Sequence, residues 1–359
     1  MEKDKVYEDL ASHLDKLPAG FPRTETGVEI RILKRLFTPE EAAFARLMTL
    51  KPETIEEIAL RTGVDGEKLT SAIEQMSRKG LLFRLRQGDT VRYMAAQFII
   101  GIWEWSLNRL DPELIKDVGE YVPRYMGQPH FLRTPPLRTI PISKALHAEQ
   151  AIMPYEEARR IIQGQEKIVL APCICRKEQK MIGKGCDKLM EACLVFDAGA
   201  QYYEENQLGR PISQTEALKI LDEAENQGLV LQPSNTQKVL NICLCCGCCC
   251  GVLKNLKRLP NPARYAASNY FAESDPEMCI GCGVCIDRCQ MGAIEMKGDI
   301  VEVNNANCIG CGLCVPTCAV AAMRLNLKPA AERRTPPSDK MEAFKIIAQD
   351  RLAMSKTRQ

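Results

Sequence analysis

"CIGCGVCIDRCQMGAIEM", Cys279 to Met296, recurs without a gap as "CIGCGLCVPTCAVAAMRL", Cys308 to Leu325. Each copy reads C-x2-C-x2-C-x3-C, the run that wraps a cubane iron–sulfur cluster. The spacing has a mechanical cause: three thiolates two residues apart line one tight loop and reach three irons of a cube, and the fourth lies just beyond it. Gly281, Gly283, Gly310 and Gly312 fill the gaps, where positive φ brings backbone N–H groups close to sulfur. With two copies, the fourth cysteine of each run ligates the other cluster. The expected sets are therefore Cys279, Cys282, Cys285 and Cys318 for one 4Fe-4S cluster, and Cys308, Cys311, Cys314 and Cys289 for the second. Between the copies, "AIEMKGDIVEVN" alternates apolar and polar residues around Lys297-Gly298, which predicts a small hairpin.

From about Asp275 to Leu327 the chain resembles the bacterial two-cluster ferredoxin family. The resemblance implies a ferredoxin-like domain that moves single electrons. It departs at one place. The family usually carries proline after the fourth cysteine; Gln290 and Ala319 stand there, and Pro316 precedes Cys318 instead. That bears on loop rigidity and potential rather than on cluster binding. Zinc also takes C-x2-C pairs, but a duplicated four-cysteine run favours clusters.

Ten more cysteines lie upstream. Cys173, Cys175, Cys186 and Cys193 follow "KIVLAPC", an apolar run that reads as a buried strand ending at thiols. In an extended chain Cys173 and Cys175 face one side and reach one metal centre, with Cys186 and Cys193 closing it from a Gly-rich loop and a following helix. Buried inert cysteines are the competing reading. Arg176 beside the pair favours thiolates and anionic clusters by charge. The other six crowd into "NICLCCGCCC": Cys243, Cys245, Cys246, Cys248, Cys249 and Cys250. Neighbours on a strand point to opposite faces, so these cannot all serve one ion. Either an irregular loop wraps a polynuclear cluster or two sites share the segment. The "CCG" at Cys245 to Gly247 resembles the Cys-Cys-Gly domains of heterodisulfide reductases, although their upstream cysteine has no counterpart between Cys193 and Cys243. The region as a whole is similar to uncharacterised iron–sulfur proteins of anaerobes with "CxCR" before a "CCxCCC" run. "PISQTEALKILDEAENQGLV", with Ser213 as cap, Glu216 as its partner and Gly228 as stop, is a scaffold helix.

At the other end, Thr38, Pro39 and Glu41 start a helix, Thr54 to Arg61 a second and Glu67 to Lys79 a third. "LLFRLR" and "TVRYMA" flank a turn at Gln87-Gly88-Asp89, and this order resembles a winged helix-turn-helix. Twelve basic and nine acidic residues between Arg31 and Met94 leave a weak phosphate footprint. DNA as a partner therefore ranks below structural or protein-docking use, including a homodimer through this module. Residues 95–125 read as helices, with Trp103 and Trp105 packed in a core or dimer contact.

The whole is expected to be a multi-domain α+β protein. Its parts are an extension (1–37), a winged-helix module with following helices (38–126), a central α/β cysteine-rich domain (127–270), a two-cluster ferredoxin-like domain (271–327) and a basic tail with a short helix (328–359). Its 359 residues, 45% hydrophobic, are enough for several cores. A net charge of +2 steers towards neither nucleic acid nor membrane. No secretory signal and no apolar run near roughly 18 residues is visible, so the eighteen cysteines are expected in a reducing cytoplasm. The tail from Arg324 carries nine basic and four acidic residues and reads as a docking or capping segment. His13, His130 and His147 stand alone in no metal spacing, and no P-loop or G-x-G-x-x-G follows a strand. The expected function is electron transfer through two 4Fe-4S clusters between the cysteine-rich domain, which holds further clusters or a metal, and a partner oxidoreductase. A redox-sensing winged-helix regulator and a reductase acting at a central cluster are the alternatives.

Overall fold

Thr38 and Thr54 each accept a hydrogen bond from the backbone N–H three residues on, and the Glu41 and Glu57 carboxylates accept one in return from the threonine N–H. These reciprocal caps start the helices Pro39–Ala45 and Ile55–Thr62 of a computed structural model that describes residues 2–146 and 152–356. Such caps satisfy donors that a helix start otherwise leaves open. Asp65 caps the next helix, Gly66–Arg78, which the antiparallel hairpin β1 (Leu82–Gln87) and β2 (Thr90–Ala95) follows. His147 lies outside the described residues.

The chain divides into two compact units. The first takes Met1–Phe131, Ala198–Arg210 and Phe344–Gln359. Within it, Phe21, Phe98, Tyr121 and Tyr125 pack ring against ring at 5.0 to 5.8 Å between centroids. Trp103 is buried, and Trp105 packs on Phe83 and Tyr202, the latter from the segment after residue 197. The stretch before them is not continuous helix. Ile99 and Ile100 are extended, short helical turns hold Trp103–Trp105 and Leu107–Arg109, and a longer helix resumes at Pro112–Met126, where Asp111 caps two N–H groups. The aromatic cluster explains the break, since Tyr125 Oη bonds both the Ile99 N–H and its carbonyl. Arg351, in the tail helix Lys340–Lys356, donates to the carbonyls of Asp15 and Leu17 at the end of the first helix, Glu2–Lys16. The basic tail thus caps a helix end, where cations are favoured.

The second unit, Leu132–Asp197 with Pro211–Ala343, contains every cysteine of the chain. Its five-stranded sheet is formed by β3 (Ile168–Pro172), β4 (Glu191–Phe196), β5 (Arg210–Ile212), β6 (Val230–Pro233) and β7 (Asn241–Cys245), in the order β5-β3-β4-β7-β6. The pairs β3–β4, β4–β7 and β6–β7 are antiparallel. This corrects the central α/β expectation: the helix Ile174–Met181 stays at one end of the sheet instead of crossing it, and the Cys173 N–H bonds the Met190 carbonyl there. The scaffold helix Gln214–Asn226 forms as expected, with Ser213 Oγ accepting from the Glu216 N–H.

Beyond Leu259 come β8 (Tyr270–Ser274), the hairpin β9 (Ile294–Lys297) and β10 (Ile300–Val303), and β11 (Met323–Leu327), which pairs antiparallel with β8. One apolar cluster runs from Leu170, Leu194, Ile242 and Leu244 of the sheet to Ala272, Ile309, Leu313 and Met323 of this region. The two cysteine-bearing segments therefore share a core.

His130 is 2% exposed in the first unit, with Nε2 3.0 Å from the Ala19 carbonyl, and burial pushes its pKa down to about 4. The unfolded chain takes a proton near pH 6.5 and the folded one resists to about pH 4. Stability therefore drops by about 3 kcal/mol as the pH is lowered across that window. His130→Gln is expected to flatten this slope, read from denaturant midpoints followed by emission of Trp103 and Trp105.

Candidate iron–sulfur and metal centres

Each ferredoxin-like loop is shaped by one forced glycine. At Gly281 a Cβ would lie 2.2 Å from the Asp299 carbonyl, and at Gly310 the same distance from the Tyr270 carbonyl. The two residues hold equivalent places in the repeat, both at positive φ. Backbone donors meet the sulfurs with the same symmetry. The N–H groups of Ala293 and Ala322 lie 3.2 Å from Cys289 and Cys318 Sγ, four residues back. Those of Val301 and Ala272 lie 3.5 and 3.3 Å from Cys279 and Cys308 Sγ. Cys285 feels the charges of Cys282, Cys318 and Cys279; Cys314 feels those of Cys311, Cys308 and Cys289. The repeats thus exchange their last cysteines in space. Burial pushes the Cys308 and Cys314 thiols up, and Cys311 to about 12. At neutral pH these thiols carry protons that cluster binding must release.

Residues 278–322 match the family model described as a 4Fe-4S dicluster domain. The match assigns 4Fe-4S clusters to this end of the chain and supports an electron-transfer role. No curated protein and no solved structure matches the chain.

The ten upstream cysteines separate into two groups, which the strand register explains. Cys193 pairs with Cys243 across β4 and β7, and Cys245 stands two residues further along. All three side chains project from one sheet face, while Leu194, Ile242 and Leu244 fill the other. The Cys243 thiol neighbours those of Cys193 and Cys245, Cys245 neighbours Cys250, and Cys250 neighbours Cys175, which is also beside Cys173. Cys173, Cys175, Cys193, Cys243, Cys245 and Cys250 are thereby a connected set of six. Cys246 faces away from Cys245, as the strand period requires, and gathers with Cys186, Cys248 and Cys249; these four sulfurs all lie within 4.8 Å of one another.

Three details differ from the sequence reading. Cys186 does not share a set with Cys173, Cys175 and Cys193. Cys173 is followed at once by the helix Ile174–Met181, so Cys175 sits in its first turn rather than in extended chain. Cys193 lies in β4, not in a helix. The cause is the antiparallel return from β3 to β4 through the helix Ile174–Met181, which leaves Cys186 in the loop after that helix.

Arg176 stands between the groups. It is 1% exposed and donates to the carbonyls of Leu189 and Leu244 at 2.8 and 2.7 Å. Burial alone would lower its pKa, but the charges of Cys173, Cys246 and Cys245 hold it above the ordinary value. Its Nε has no partner. A buried cation with a spare donor amid thiols suits an anionic iron–sulfur group, so the six-sulfur set fits a further cluster by donor type. Glu178, beside it, is pushed up to about 7 by burial.

Gln290, in the usual proline position, gains a role that proline lacks. Its Oε1 accepts from the Gly247 N–H at 2.8 Å, while Lys257 Nζ donates to the Gly247 carbonyl. The packing is tight enough that a Cβ on residue 247 would lie 2.2 Å from the Gln290 carbonyl.

The arginines of the β1–β2 hairpin are engaged within the first unit. Arg84, 8% exposed, bonds Glu205, Ser77 and Asn206; Arg86 pairs with Glu205 and Arg92 with Glu57. His13 bonds the Met48 carbonyl, and neither it nor His130 joins a metal set.

Two outcomes follow. Arg176→Leu strands two buried carbonyls and removes the counter-charge of the thiolates; a loss of about 3 kcal/mol or more is expected in anaerobic denaturant titration. Gly247→Ala drives a methyl into the Gln290 carbonyl and is expected to cost about 2 kcal/mol or more in the same titration.

Proposed function

We propose that this protein is an electron carrier in which two 4Fe-4S clusters, held by Cys279, Cys282, Cys285 and Cys318 and by Cys308, Cys311, Cys314 and Cys289, pass single electrons between a partner oxidoreductase and a cluster on the six-cysteine set. The observation that carries this reading is the paired arrangement of N–H···S contacts around a repeat that matches a dicluster domain. Such donors offset charge on the reduced cluster and set its potential. The shared core and the Gln290–Gly247 bond support a short path inward from Cys289. Partner entry is supported on the other side. Cys282 is exposed, and Met278, Ile280, Val284 and Met296 are exposed apolar residues, Ile280 at 65%. A bare apolar rim near a cluster suits brief docking of a redox protein.

The order of three helices and a hairpin supports a winged-helix reading of the first unit. The engagement of Arg84, Arg86 and Arg92 by carboxylates favours a structural use over DNA reading. Among the described residues no helix is long and apolar enough to cross a membrane, and the many unpaired thiols favour a cytoplasmic home.

Anaerobic protein is expected to carry about eight irons in the ferredoxin-like region and about four or more beyond it. Cys308→Ser is expected to remove roughly four irons and one of the EPR signals of the reduced protein. Full iron and an unchanged spectrum in that variant would end the assignment. Ile280→Lys is expected to slow reduction by a partner several-fold without changing iron content, measured by stopped-flow spectroscopy.

A further inference from the structure

The ferredoxin-like runs separate their first three cysteines by two residues because a cubane interposes an iron between its centre and each thiolate, spreading the sulfurs. Cys246, Cys248 and Cys249 are spaced by one residue and by none. Their sulfurs stand correspondingly close. Cys186 lies 3.9 Å from Cys246 and 3.7 Å from Cys249, and Cys249 lies 3.8 Å from Cys248, sulfur to sulfur. Four thiolates arranged tetrahedrally at about 2.3 Å from one ion have edges of about 3.8 Å. A single ion fits where a four-iron cube does not.

The chain supplies its own comparison. Among the described residues, the eight cysteines of the dicluster match form no set with all sulfurs within 4.8 Å; the Cys186 group does.

We propose that Cys186, Cys246, Cys248 and Cys249 hold one zinc ion in a closed tetrahedral site, separate from the iron–sulfur clusters. Zinc is favoured over mononuclear iron because the same divalent site binds it more tightly. Four protein sulfurs leave no open position, which marks the site as structural. Zinc has no redox step, so the site carries no electrons. Its work is mechanical: it ties the loop before β4 to the turn after β7, the two segments that deliver Cys193 and Cys245 to the six-sulfur set. Clusters in the central region are then confined to those six cysteines. The Lys188 N–H bonded to Cys186 and the nearby Arg176 guanidinium offset the charge of four thiolates.

The test is anaerobic purification of the full chain, elemental analysis and X-ray absorption at the zinc edge. About one zinc per chain with four sulfur neighbours at about 2.3 Å is expected. In Cys248→Ser, chosen because Cys248 is exposed, and in Cys186→Ser, zinc should fall at least tenfold while cluster iron and EPR signals persist. Zinc below about a tenth of an equivalent in the native protein overturns the proposal, as does zinc bound by nitrogen or oxygen ligands, or zinc retained in both variants. Loss of iron and EPR signals along with zinc would overturn the separation from the clusters. The wild-type absorption measurement stands even if a variant fails to fold. The ferredoxin-like relay survives a failure here, since its test reads iron alone.

Discussion

Sulfur must converge from distant parts of the chain, and the second unit is organised around that demand. Cys193 and Cys243 are fifty residues apart in sequence yet directly opposed across β4 and β7. Cys289 and Cys318 leave their own repeats to stand among the other's thiols. Metals and clusters bind sulfur in its deprotonated form, so metal binding and folding are coupled here. The five-stranded sheet supplies the rigid frame, and the loops at its cysteine-bearing end supply the approach.

The charge that this gathering creates is met locally. Arg176 lies buried between two sulfur groups with both Nη atoms spent on backbone carbonyls. The carbonyl bonds hold the guanidinium in place, so its position does not depend on the sulfurs it neutralises. Gln290 performs a comparable service for the backbone by holding Gly247 at the close approach that its missing side chain permits.

Much of this was legible in the sequence. The repeat at Cys279 and Cys308 announces its loops because local spacing alone shapes them, and the caps at Thr38, Thr54 and Ser213 are equally local. The alternation of a strand left "NICLCCGCCC" to wrap one polynuclear cluster or to divide between two sites. Membership of the groups was hidden, because it depends on which strand β7 pairs with and where Cys186 falls relative to it. The antiparallel order of the sheet was not legible either: a helix that turns back at the end of a sheet has the same pattern as one that crosses it. The pairing of Arg84 and Arg86 was not legible, because their partner, Glu205, is over a hundred residues away. Gln290 looked like a mere departure from a family habit until Gly247 was seen beside it.

All eighteen cysteines belong to one unit, and both tryptophans to the other. Oxygen damage therefore has a strict address. Air can strip sulfur and iron chemistry from one unit while the neighbouring body, with no thiol to lose, keeps its helices and its indole emission. Such a molecule remains half native, and spectroscopic signs of a sound fold coexist with a chain that has lost its purpose.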